Sequence, residues 1–386
     1  FPRDVFLHRL ASDNRGDSCM KDGVPGVCVN VNQCQTAIDD IQNKKSPQIC
    51  TFDYASPIVC CIDHRDVVAQ PTASLTTTTE YTPKTYDYED LEPAAQCQPI
   101  HPSMTSPKTG KKAWDKCLEY QEQLVYPCVH HNIGGPSRSL QCHHEASDLI
   151  VGGTAAKRHE FPHMVMLGYG NQVNYLQWRC GGSLISDRFV LTAGHCVVET
   201  AIGRVNYVLV GALLRNDSAD NSKIYKVKRI IKHPKYKLIF RYNDIALLET
   251  KKQIQLDQFT VPACLHVGDP VDDRKFYATG WGHTAFGGAA SEVLQKVYFF
   301  IFPKDIKMRD GFDNHTQICF GDKNKSSDTC QGDSGGPLQV MSKKIYCMYV
   351  IVGVTSFGKA CGIAGQPGIY TRVESYLPWI ESIVWP

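Results

Sequence analysis

The chain has 386 residues, enough for two or three domains, and a formal net charge of only +2. With that charge and no basic stripe interleaved with aromatics, nucleic acid is not an expected partner. No run of 18 or more apolar residues occurs, so no membrane span is expected. The opening Phe-Pro-Arg-Asp-Val does not read as a signal peptide, so either one has been removed or the chain was never secreted. The 17 cysteines favour secretion. They cluster at near-regular spacing, Cys60 and Cys61 are adjacent, and no Cys-x-x-Cys with matching histidines suggests zinc, which leaves a disulfide framework. Sequons at Asn216, Asn314 and Asn324 fit an extracellular glycoprotein.

Residues 1–18 form a tail. Residues 19–61 hold six cysteines, Cys19, Cys28, Cys34, Cys50, Cys60 and Cys61. So short a unit cannot bury much core and needs covalent staples. Turn signals at Asp22-Gly23 and Pro25-Gly26 precede a strand expected over 27–31. This unit reads either as an inert cap or as a protein-docking module. Residues 62–96 change composition: the run Thr76 to Thr79, then Tyr86-Asp87-Tyr88-Glu89-Asp90, with few apolar residues and no period. That pattern predicts a solvated linker. Residues 97–149 carry Cys97, Cys117, Cys128 and Cys142, with a short helix predicted over 114–124.

From Ile150 to Pro386 short β-patterned runs alternate with turns, at 164–168, 183–186, 189–192, 207–211, 226–231, 245–249, 293–302 and 350–357. Helical spacing returns at 375–385, where Leu377, Ile380, Ile383 and Val384 share a face and Pro378 falls in the first turn. So many short strands predict an all-β sandwich or barrel domain.

The stretch Asp328-Thr-Cys-Gln-Gly-Asp-Ser-Gly-Gly-Pro-Leu338 centres on Ser334. A serine hydroxyl becomes a nucleophile only when a base takes its proton and donors stabilise the oxyanion. The amides of Gly332 and Ser334 are placed to supply those donors. The candidate base is His195, at a strand end in Leu191-Thr-Ala-Gly-His195-Cys196. The candidate orienting acid is Asp244, opening the apolar strand Asp244-Ile-Ala-Leu-Leu248. A carboxylate buried there needs a partner, and an imidazole N–H meets that need while leaving the other ring nitrogen free to accept the serine proton.

The order His195, Asp244, Ser334 is that of trypsin and chymotrypsin. With Ile150-Val-Gly-Gly153, Gly280-Trp-Gly282 and Pro367-Gly-Ile-Tyr-Thr-Arg-Val373, residues 150–386 resemble a trypsin-family serine protease domain over their whole length. The resemblance implies two six-stranded β-barrels with the triad between them and a C-terminal helix. It also implies a zymogen. Cleavage between Leu149 and Ile150 would free an α-amino group that pairs with Asp333 and orders the oxyanion site. Leucine before the scissile bond departs from the usual Arg or Lys, so an upstream activating protease accepting Leu149 is expected. Asp328 matches the floor of the specificity pocket, and Gly358 and Gly368 match its walls, which implies cutting after Arg or Lys. Gly194 and Phe357 replace the usual alanine and tryptophan. Ala212 stands where some relatives place a calcium-binding glutamate, so no metal and no cofactor are expected.

The six-cysteine unit resembles the arthropod clip domain, which implies Cys19–Cys60, Cys28–Cys50 and Cys34–Cys61. The family pattern implies Cys117–Cys264, Cys180–Cys196 and Cys330–Cys361. Cys142–Cys347 is a guess at a second link between the chains. Cys97, Cys128 and Cys319 remain unassigned, and Cys319, whose usual partner is missing, is the best candidate for a free thiol. Clip module, linker and protease domain together resemble an arthropod clip-domain serine protease of the Snake-type subgroup. That implies an extracellular cascade in haemolymph or an equivalent fluid, leading to Toll activation or melanisation. The partners implied are a downstream clip-protease zymogen as substrate and a serpin as inhibitor. The rival readings are a non-catalytic clip-domain scaffold and a digestive protease with added modules.

Overall fold

The computed structural model describes residues 17–43, 45, 47–53, 56–62, 97–131, 135–144, 154–198, 203–219, 221–237, 242–268, 276–283, 289–301, 312–321, 333–357 and 368–386. Two units are described separately, one ending at Tyr88 and one starting at Glu89. The expected linker at 62–96 lies, apart from Ile62, outside the described residues. Among the described residues no helix is long and apolar enough to cross a membrane.

In the first unit four short strands form one antiparallel sheet in the order Ser18–Lys21, Val24–Asn30, Ser56–Cys61, Ile49–Asp53. The strand expected at 27–31 is thus longer at its N-terminal end, because Val24 to Val27 pair with Ser18 to Lys21. A helix, Gln35–Gln42, was not expected from the sequence. Its core is small: Cys34, Ala37, Val59 and Cys61 are its buried cluster. Three disulfides supply what that core lacks, Cys19–Cys60, Cys28–Cys50 and Cys34–Cys61, the pairs the resemblance implies. Lys21 and Asp40 form an ion pair between the edge strand and the helix.

The second unit is built on two rings of strands. The first is a closed barrel of β1 (Met164–Tyr169), β2 (Gln177–Leu184), β3 (Phe189–Thr192), β4 (Val205–Val210), β5 (Ile224–Lys232) and β6 (Ala246–Thr250). Its members β1, β3 and β6 are buried at every position, which is why they read as unbroken apolar runs. The second contains β7 (Phe276–Gly280), β8 (Gln295–Ile301), β9 (Gln317–Gly321), β10 (Pro337–Met341), β11 (Tyr349–Phe357) and β12 (Gly368–Arg372). The path β11-β10-β7-β8-β9-β12 returns to β11 through the β11–β12 pairing, so this ring also closes. Its interior holds Phe276, Ala278, Phe320, Leu338, Val340, Val352 and Tyr370, with the Phe276 and Phe320 rings 4.4 Å apart. Closure of both rings leaves no free sheet edge within either.

The C-terminal helix runs Leu377–Val384, preceded by a 3₁₀ turn at Val373–Tyr376, with proline in its first turn as expected. The segment at 97–144 packs on the same unit. Its helix, Lys112–Tyr120, starts two residues before the expected position and passes into a π-helical turn, Gln121–Val125. The reason is visible at Gln121. Its side-chain amide nitrogen, Nε2, donates to the carbonyls of Met104 (2.7 Å) and Tyr346 (3.0 Å), so the side chain is turned inward and fully buried. Ala113 N donates to Glu381 Oε1 of the C-terminal helix at 2.9 Å. Disulfides Cys117–Cys264 and Cys142–Cys347 join this segment to the barrels, and Cys97–Cys128 closes a loop inside it. Cys97–Cys128 had no assignment in the sequence; the pairing of the strands Cys128–His131 and Gly135–Arg138 sets up that end of the segment.

Candidate active site

His195 follows β3 in a short 3₁₀ turn, Gly194–Val197, pinned to β2 by the disulfide Cys180–Cys196. Asp244 stands two residues before β6 and is completely buried. Its carboxylate holds the histidine twice. His195 N donates to Oδ1 at 2.8 Å, and His195 Nδ1 lies 2.8 Å from Oδ2. A charged oxygen facing Nδ1 fixes the proton there and leaves Nε2 as the acceptor.

Two further groups, not foreseen in the sequence, complete the setting of the acid. Ser356, from β11 of the other ring, donates its hydroxyl to Asp244 Oδ2. Thr371 Oγ1, from β12, donates to the Asp244 carbonyl at 2.8 Å. The preceding residue, Asn243, takes a left-handed backbone (φ 53°). Its side chain is clamped at both ends, with Nδ2 donating to Lys235 O at 2.9 Å and Oδ1 accepting from Tyr376 OH at 3.1 Å. Burial pushes the Tyr376 phenol up to about 12, so it stays protonated and remains the donor. A serine or threonine inside a β-run carries no motif of its own, so Ser356 and Thr371 had no sequence signal.

Ser334 enters from the second ring, in the turn before β10. Its carbonyl accepts from Gly181 N of β2 at 2.8 Å. Gly335 takes a left-handed backbone (φ 78°), and a Cβ there would lie 2.2 Å from Thr192 Oγ1 and 3.2 Å from Ala193 N. Only glycine lets the serine turn sit this close to the end of β3, three residues before the histidine. Gly335 N donates to Thr355 O at 2.8 Å, which ties the turn to the residue beside Ser356. Thus the turn bearing Ser334 and the strand end bearing His195 are brought together, while among the described residues no hydrogen bond joins the two side chains.

Asp333 accepts from Gly282 N at 2.8 Å. The residues Leu149, Ile150, Asp328, Gly332 and Gly358, the pair Cys330–Cys361 and the sequon at Asn324 all lie outside the described residues. Gly368 is described: it is buried at the start of β12, opposite Phe320. Phe357 packs with Phe312 against buried Cys319 and Ile369. Cys319 is the free cysteine among the described residues, and burial pushes its thiol up to about 12. The sequon residues Asn216 and Asn314 are both exposed. Three cysteine-histidine or cysteine groups lie close enough to suggest a metal, but every cysteine in them is engaged in a disulfide.

A family profile described as Trypsin matches residues 150–380, more than half of the chain. Serine protease snk of Drosophila melanogaster is 37% identical over 250 residues, covering 61% of this chain and 57% of that protein. Serine protease Hayan of the same organism is 36% identical over 315 residues, covering 77% and 47% respectively. CLIP domain-containing serine protease B4 of Anopheles gambiae is 30% identical over 319 residues, covering 75% of this chain and 88% of that protein. The chain therefore spans about half the length of the first two relatives and most of the third. With a family profile over the paired barrels and a CLIP-domain relative matched over 75% of the chain, this protein belongs to the trypsin family, among the arthropod clip-domain serine proteases.

Proposed function

We propose that the chain is a secreted serine endopeptidase made as a zymogen, activated by cleavage after Leu149, and cutting after Arg or Lys in a downstream clip-protease zymogen. The observation that carries the catalytic reading is the doubly bonded pair of His195 and buried Asp244, with the Ser334 turn held against the same strand end.

His195 Nε2 takes the proton from Ser334 Oγ as that oxygen attacks the scissile carbonyl carbon. The negative charge moves to the carbonyl oxygen, where the Gly332 and Ser334 amides stabilise it. The imidazolium, steadied by Asp244, returns the proton to the leaving amine as the peptide bond breaks. Water then hydrolyses the acyl-enzyme by the same route, again with His195 as base. Asp328, Gly358 and Gly368 form the pocket in this reading, and a substrate guanidinium or ammonium would pair with the Asp328 carboxylate.

The zymogen reading follows from the likeness to the trypsin family, in which an α-amino group generated at Ile150 would pair with Asp333, the residue before Ser334. The exposed Asn216 and Asn314 fit a glycoprotein in haemolymph or an equivalent fluid. An upstream protease accepting Leu149, a serpin inhibitor, and a place before Toll activation or melanisation follow from the likeness to the clip family alone.

The test is an arginyl chromogenic peptide assayed before and after cutting at Leu149, with Ser334→Ala alongside. The expected result is turnover only after cutting and none in the variant. Verified cutting without turnover would favour the scaffold reading. Incubation of the mature enzyme with candidate clip zymogens, followed by sequencing of the cut ends, then identifies the substrate.

A further inference from the structure

The outer side of β5 carries a charge concentration that the linear sequence splits in two. Lys226, Lys228 and Arg229 are exposed on this strand, and Lys251 and Lys252 are exposed just beyond the end of β6. The ladder brings the two groups together: Lys251 N donates to Lys226 O at 2.7 Å, and Arg229 pairs in register with Glu249. A register shift between Val227 and Arg229 is what turns Lys228 and Arg229 to the same side. Both reach Glu249, at 2.6 and 2.8 Å, while keeping side-chain exposures of 57% and 58%. Two carboxylates meet this face among the described contacts: Glu249, itself buried, and Asp187, whose Oδ2 accepts from Gln253 Nε2, beside Lys252, at 2.6 Å. Five cations against these two carboxylates leave a local excess of +3 on a chain whose total is +2.

The charge is continuous with the active-site end of the barrel. Lys232, also exposed, pairs in register with Ala246, two residues after Asp244. Lys235 and Lys237 follow it and are exposed, and the Lys235 carbonyl holds Asn243. From Lys226 to Lys232 the strand covers roughly 20 Å. The cations are interleaved with half-buried apolar groups, Tyr207 opposite Lys226 and Ile230 and Ile231 along β5. A sulfated polysaccharide has no use for that apolar surface, whereas a peptide alternating acidic and apolar side chains matches both components.

We propose that the β5 face is a recognition surface for an acidic, apolar-interleaved polypeptide segment of a protein partner, separate from the pocket that selects the residue at the cut. Opposite potentials of this kind raise encounter rates and choose partners more than they add raw affinity. The inference does not depend on the triad being active, because the surface lies outside it.

The test uses the full chain and a fluorescein-labelled synthetic peptide of about twelve residues alternating Asp or Glu with Leu or Phe, followed by anisotropy. The protein should bind this probe, and raising salt from about 0.05 M to about 0.3 M should weaken binding several-fold, as for exposed charges. The triple variant Lys226→Glu, Lys251→Glu, Lys252→Glu removes no ion pair to Glu249, so its melting temperature should match the parent. Its affinity for the probe should fall at least tenfold. Equal binding by the triple variant, or no binding by the parent, overturns the proposal. Heparin bound in place of the peptide, and lost in the same variant, also overturns it and makes the face a glycan site.

Discussion

The carboxylate of Asp333 occupies the space that a side chain on Gly280 would fill. A Cβ there would lie 2.0 Å from Asp333 Oδ1, and the same oxygen accepts from Gly282 N at 2.8 Å. The Gly-Trp-Gly motif is therefore a cradle for the acid that precedes Ser334. Gly280→Ala should push Asp333, and Ser334 with it, out of place. An ångström-scale misplacement costs about 10²-fold in rate. The expected outcome is a loss of that order in kcat/KM of the cut enzyme, read with an arginyl peptide. The melting temperature should fall too, as overpacking typically costs about 1–3 kcal/mol. Wild-type turnover in this variant would show that Asp333 need not sit here.

Asp244 is held by groups from both rings, and the two kinds of contact should separate on mutation. Asp244→Asn presents an amide to Nδ1 and favours the wrong tautomer, so kcat should fall by about 10⁴ with KM little changed. Ser356→Ala removes one donor to a buried carboxylate, a bond worth about 1.5–3 kcal/mol, so kcat should fall roughly tenfold to a hundredfold. If Ser356→Ala raised KM alone, its hydroxyl would be serving substrate binding and not the acid.

The residues proposed to carry the chemistry stood out in the sequence because each sits in its own local motif. His195 follows an apolar strand, Asp244 opens one, and Ser334 lies in a glycine turn. What joins them was not legible. Ser356 and Thr371 belong to the second ring and meet Asp244 only after both rings close. The Gly280 contact depends on an absent side chain and on a partner far along the chain. Fully buried strands such as β3 and β6 were readable as apolar runs. Strand ends were set by pairing instead: β5 begins at Ile224 because Ile224 pairs with Leu209. The Gln35–Gln42 helix escaped notice because a disulfide core, rather than an apolar stripe, holds it down. Cys97–Cys128 was open because spacing alone does not choose between partners.

Immediately before β1, His163 is fully buried among Phe161, Tyr349 and Gln339, with His144 beyond Tyr349. Burial pushes His163 down to about 3, with Gln339 acting in the opposite direction and His144 adding to the depression. Burial also lowers His144, against a hydrogen bond to the Cys347 carbonyl. Glu160, whose charge acts on Tyr349 of this cluster, pairs with Lys296 at 2.5 Å. Below the ordinary histidine value of about 6.5 the unfolded chain takes up protons that the folded His163 refuses, so stability falls as pH falls. At pH 5 the loss from His163 alone is about 2 kcal/mol. Melting curves between about pH 7 and pH 5 should show this decline, and His163→Leu should flatten it whatever its effect at pH 7. An unchanged slope would mean that His163 is not the group responsible.

Cleavage after Leu149 should not release the N-terminal part, because two independent disulfides hold it. Cys117–Cys264 ties the helix of the segment, and Cys142–Cys347 ties a point only seven residues before Leu149. His144 reinforces the second anchor, with Nε2 placed 2.7 Å from the Cys347 carbonyl. The cut protein should therefore run as one species on a non-reducing gel and as two on a reducing gel. Neither Cys117→Ser nor Cys142→Ser alone should change that, and the double variant should separate under denaturing, non-reducing conditions. Each single variant also leaves one partner cysteine unpaired, at Cys264 or Cys347, so the thiol count after denaturation should rise by one. Release from Cys117→Ser alone would show that Cys142 and Cys347 are not joined in solution. Retention in the double variant would require a third covalent link between the two parts.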